Sequence, residues 1–161
     1  MEVVAKARDI PGLSADIPFR EAAALAVGTR AEEVWEHEHR VMDMGDIEGV
    51  HDMRVATRRL RAAMEIFQPC FPKKRHRKAL QEVKQLADLL GARRDPDVMI
   101  ERLRRMEADL THEDRPGIES LCEELRAGQE QANRRLADAL ARTRSEQLPE
   151  RLRLLAAEVR A

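Results

Sequence analysis

Apolar side chains in this chain recur at intervals of three and four residues, a period that belongs to a helix. Met53, Ala56, Leu60, Ala63, Met64 and Phe67 make one such stripe, and Ala79, Leu80, Val83, Leu86, Ala87 and Leu90 make another. The strict alternation of a strand is not convincing anywhere. Ala, Leu, Glu and Arg dominate the composition, and all are good helix formers. An all-α protein is therefore expected, an antiparallel helical bundle of about six helices joined by short connections. At 161 residues the chain makes one domain with room for a real core.

Punctuation along the chain gives the expected boundaries. Residues 1–17 form an irregular N-terminal lead-in, marked by Pro11 and Gly12 and ending before Pro18, and residues 18–161 form the helical domain. A first helix runs from Phe19 to about Met44 and stops near Gly45. The second starts near Asp46 or Ile47 and ends at Pro69, and the third spans Lys73 to Leu90. Gly91 reads as a helix stop. Asp95 and Pro96 then read as the N-cap and first position of a fourth helix, reaching about Leu110. A long fifth helix covers about Ile118 to Arg144, and a short one follows Pro149.

Charge narrows the function. The whole chain has a net charge of −1, yet residues 51–84 hold ten Lys/Arg against three Asp/Glu, a net of +7. Along the second helix, counted from His51, Arg58 falls about 20° away, Arg54 about 60° and Arg61 about 80°, all on one flank. Four aligned cations repel one another, so the alignment points to an anionic ligand, most simply phosphate. Lys74, Arg77, Lys78 and Lys84 lie on the polar side of the third helix and add point charges. Arg94 is placed to reach the same site, with Asp95 capping its helix and orienting an arginine. Arg59 falls on the flank between faces, where a surface salt bridge competes with ligand contact. Lys73 and Arg75 read as solvated, and His76 as packed toward the apolar side.

Two stretches carry a family resemblance: Val50-His51-Asp52-Met53-Arg54-Val55-Ala56-Thr57-Arg58-Arg59-Leu60-Arg61, and Leu89-Leu90-Gly91-Ala92-Arg93-Arg94-Asp95-Pro96-Asp97-Val98. Through them residues 19–110 resemble the first half of a CHAD domain, the conserved-histidine α-helical domain. The family has alanine where this chain has Arg93, while Arg94, Asp95, Asp97 and Val98 fit. The resemblance implies a non-catalytic module that binds inorganic polyphosphate, with basic helix faces lining a channel or pocket. Together with the charge pattern, it makes His51, Arg54, Arg58, Arg59, Arg61, Lys74, Arg77, Lys78, Lys84 and Arg94 the candidate polyphosphate-binding residues. Many members carry two similar halves. No second His-x-x-Arg helix follows Arg115 here, and residues 115–161 resemble only the helices that open a second half. The expectation is a half-length domain whose site is half-built or is completed by a homodimer.

Other functions suit the residues less well. Nucleic acid would be drawn to the same cations, but the absence of Tyr and the few other aromatics, Trp35, Phe19, Phe67 and Phe71, leave little to stack bases on. An interaction module docking an acidic protein is a further alternative. So is an internal salt-bridge network with Glu32, Glu33, Glu36 and Glu38. A histidine phosphotransfer protein would use His51, but no nucleotide motif or paired base accompanies it. Glu36-His37-Glu38-His39 and Glu48-Gly49-Val50-His51 imitate metal motifs at an unsuitable spacing, so no metal and no cofactor are expected. Arg or Glu interrupts every apolar run, so no membrane span is expected, and Met1–Ile10 lacks an export signal. With Cys70 and Cys122 as free thiols, the expected location is the cytoplasm, in association with polyphosphate granules.

Overall fold

The computed structural model describes residues 6–159, which contain helices and no strand. Helix α1 spans Phe19–Glu36, the single turn α2 Glu38–Val41, α3 Ile47–Ile66, α4 Lys73–Glu107, α5 Arg115–Ser145 and α6 Leu148–Glu158. Helix α1 packs on α3 and α6, α3 packs on α4, and α4 packs on α5. The apolar core joins Val27 and Val34 of α1, Met53 and Leu60 of α3, Leu86 and Leu90 of α4, and Leu152 of α6. The two stripes read from sequence thus face each other and α1. Residues 1–5 of the lead-in lie outside the described residues, and residues 6–18 hold turns but no helix.

The first expected helix ends early, at Glu36, and an elbow replaces its last turns. Arg40 pins that elbow. Its Nε donates to Asp46 Oδ2 at 2.8 Å, its Nη2 to Asp46 Oδ1 at 3.1 Å and its Nη1 to Asp52 Oδ2 at 2.9 Å. Asp46 also caps α3, accepting from the Gly49 N–H at 2.9 Å. These bonds, Arg40's first and Gly49's second, hold the Asp46 carboxyl below its ordinary range. Gly49 permits the close crossing, because an added Cβ would sit 2.7 Å from Arg40 Cβ and 2.9 Å from its carbonyl oxygen.

Helix α3 ends at Ile66, and a 3-10 turn, Gln68–Cys70, contains Pro69. His76 packs inward as its spacing predicts. It is buried, donates to the Met64 carbonyl at 2.8 Å and stacks on Phe71.

The larger correction concerns α4. The expected stop at Gly91 and new start at Asp95 do not occur, and one helix runs through both Gly91 and Pro96. An interior glycine costs about 1 kcal/mol and an interior proline about 3 kcal/mol, so contacts across the junction must offset them. Leu86 and Leu90 are buried before it; Arg93, Arg94 and Asp97 are buried across it. Arg93 Nη1 donates to both Asp97 oxygens at 2.9 Å, spanning Pro96 within one turn. From α5, Asn133 Oδ1 accepts from Arg93 Nε at 3.2 Å, and Gln129 donates to Asp97. Tertiary clamping overrides two local breakers.

Candidate anion-binding groove

Helices α3 and α4 enclose a groove of about 620 Å³. Arg54, Arg58, Arg61 and Glu65 line it from α3, and Asp88 and Asp95 line it from α4. Ala87, Gly91 and Ala92 form a floor of small residues. Gly91 was expected to end a helix. Instead it lies inside α4 beside Arg54, where an added Cβ would meet Arg54 Nε at an ordinary contact distance of 3.8 Å.

A second recess of about 450 Å³ continues from the groove and shares Arg54 and Asp95 with it. His51 of α3 and Arg94, Val98, Met99 and Arg102 of α4 complete its lining. The helical register of α3 therefore delivers Arg54, Arg58 and Arg61 to the groove and His51 to the adjoining recess, with a rise of about 10 Å from Arg54 to Arg61. Arg58 and Arg61 are exposed, Arg54 is half-buried, and His51 and Arg94 are buried.

The third-helix cations are distributed differently. Lys84 reaches the groove's edge, where its Nζ meets Glu65 Oε1 at 2.9 Å. Lys74 and Arg77 precede it on the same face of α4, seven or fourteen residues from Asp88, Lys84 and Gly91, and both are exposed. Lys78 is exposed on the flank. None of these three lines either depression. Arg59 points elsewhere: it lines a separate recess with Lys6, Arg8, Glu33, Glu36, His37, Glu48 and Asp52.

The acidic first helix does not neutralise the groove. Glu32, Glu33 and Glu36 pair with Arg8 and Arg30, and Glu38 pairs with Arg144. Glu65 does intrude. It bonds Lys84 and lies 3.7 Å from Arg61, and these two cations, Lys84 chiefly, hold its carboxyl below the ordinary range. A carboxylate there competes with any anion for Lys84 and Arg61. Replacing it, Glu65→Gln, is expected to tighten anion binding by about threefold, the worth of one solvent-screened pair at about 0.6 kcal/mol. Unchanged or weaker binding in a titration would show that Lys84 and Arg61 do not meet the ligand.

Sequence reasoning missed Glu65, Asp88 and Arg102 as lining residues. For the last two a signal existed: Lys74, Asp88, Asp95 and Arg102 fall on one heptad line of α4, but only once α4 is unbroken. Among the described residues, no three His, Cys, Asp or Glu side chains gather as a metal site would require. No helix among them is long and apolar enough to cross a membrane. Cys70 and Cys122 are buried free thiols.

Arginine forks ranked along one helix face the small residues and carboxylates of a second, in an all-α bundle. The chain belongs to the CHAD domain family, whose model matches residues 25–161. No curated protein and no solved structure matches the chain.

Proposed function

We propose that this protein binds inorganic polyphosphate in the α3–α4 groove and holds it without turning it over. The observation that carries the reading is the rank of Arg54, Arg58 and Arg61 along one wall of a single depression, with His51 and Arg94 at its end. CHAD domains are a polyphosphate-binding family, and the groove suits such a ligand. Guanidinium forks engage two phosphate oxygens at once. They remain charged at any physiological pH and serve as neither nucleophile nor base.

Nucleic acid fits this surface less well. No aromatic side chain lines the groove or its recess. Phe19 and Phe67 face each other at 4.9 Å, and Trp35 packs against the core. Bases would find no stacking platform. The reading places the protein in the cytoplasm at polyphosphate granules, and pairs two copies so that a second basic face closes the open side.

The direct test is a salt titration of binding to long-chain polyphosphate, single-stranded DNA and duplex DNA, with molecular mass followed in parallel. Polyphosphate is expected to bind most tightly at every salt concentration. Equal affinity for all three would make the groove a general polyanion site, and an unchanged monomeric mass at full binding would remove the pairing.

A further inference from the structure

The recess at the end of the groove differs chemically from the groove itself. His51 is 9 % exposed and Arg94 is 5 % exposed. His51 Nε2 and Arg94 Nη1 are both buried with no hydrogen-bond partner among the described residues, and both side chains line the recess. Buried donors of this kind are costly when unmet. Two such nitrogens on different helices, both belonging to residues that line one recess, describe a place suited to receive acceptors.

Charge points the same way. Arg93, Arg94 and Asp97 are buried together. Asp97 spends both oxygens on Arg93, and its closest approach to Arg94 is 3.9 Å, beyond hydrogen-bond reach. Two buried guanidiniums thus share one carboxylate, which leaves one positive charge in surplus beside the recess. Asp95 opposes it from the exposed rim, while Arg54 and Arg102 add to it. An uncompensated buried cation is unfavourable and draws an anion. Beyond these groups the recess is lined by Val98 and Met99, which offer a further anion nothing.

A polyphosphate chain carries two kinds of unit. An internal unit has two free oxygens and one charge. A terminal phosphoryl has three free oxygens and takes a second charge with a pKa of about 6. A recess that gathers a surplus cation and two residues with unmet buried nitrogens favours the unit with the extra oxygen and the extra charge. We propose that His51, Arg94 and Arg54 form a chain-end subsite, in which the recess holds the terminal phosphoryl group and Arg58 and Arg61 hold the units that follow. This rests on the polyphosphate reading of the groove. Free orthophosphate is the same chemistry, and the test separates the two sources.

The experiment compares one short polyphosphate of defined length in two forms, with free ends and with both ends capped as phosphoramidates. Affinities are measured for the wild type, Arg94→Met and His51→Leu, with a thermal melt of each. The wild type is expected to bind the free-ended chain about tenfold more tightly. Both variants are expected to lose that advantage, so that each binds the free-ended and the capped chain with equal affinity. Orthophosphate is expected to compete with the free-ended chain and not with the capped one. Should Arg94→Met fail to fold, His51→Leu carries the comparison alone. Equal wild-type affinity for the two chains overturns the chain-end subsite and leaves the groove reading standing. Arg94-dependent binding of orthophosphate alongside that equality assigns the recess to free phosphate instead. Failure to bind either chain overturns both readings.

Discussion

Replacing Arg54 and Arg58 together by alanine is expected to weaken polyphosphate binding by about two orders of magnitude, since each lost charge-assisted contact in an open groove costs about 1.5 kcal/mol. Arg54 matters most, because it alone among the arginines lines both the groove and the recess. The salt dependence should fall too, with the log–log slope shrinking by about one for each arginine removed. The fold should survive. Arg58 is exposed and Arg54 is half-buried over a glycine, so neither substitution opens a core cavity. Arg59→Ala is the internal control, since that residue lines a different recess among carboxylates. Its affinity should stay near wild type. A double variant that binds as the wild type does, or a loss equally large in Arg59→Ala, would mean that attraction is spread over the whole basic segment rather than focused in the groove.

The cationic rank on α3 could be read in sequence because one amphipathic helix encodes it alone. Asp46 starts the helix, the register separates Arg54, Arg58 and Arg61 from Met53, Ala56 and Leu60, and the structure keeps both faces. Features that depend on two helices were not legible. Gly91 and Pro96 carry the local marks of a break, and nothing within their own turn reveals that Gln129 and Asn133, far along the chain, clamp α4 across them. The same blindness affects the site. In sequence His51 and Arg94 read simply as members of a basic set, yet the structure buries both and leaves a nitrogen of each without a partner among the described residues. Arg93 looked like a departure from the family motif. Its charge, length and fork are what the α4–α5 clamp uses, and only the α5 partners make that visible.

That clamp supports the second large prediction. Between residues 91 and 135 the buried apolar side chains, among those described, are Leu103 and Cys122. So little apolar burial leaves α4 and α5 dependent on the Arg93–Asp97 pair, whose side chains are 0 % and 1 % exposed. Asp97→Asn keeps the shape but strands the Arg93 charge in the interior. Breaking a buried pair from one side costs about 3–5 kcal/mol, which should lower Tm by on the order of 10 °C in a chain of this size. Removing both charges tells a different story. Arg93→Met with Asp97→Leu should recover most of the loss, because buried ion pairs stabilise little over well-packed apolar replacements. If Asp97→Asn melts with the wild type, the clamp does not hold α4 straight through Gly91 and Pro96. If the double variant melts as low as the single one, the defect is packing rather than stranded charge. In that case the surplus positive charge assigned to the neighbouring recess loses its footing, because the same bookkeeping of Arg93, Arg94 and Asp97 underlies both.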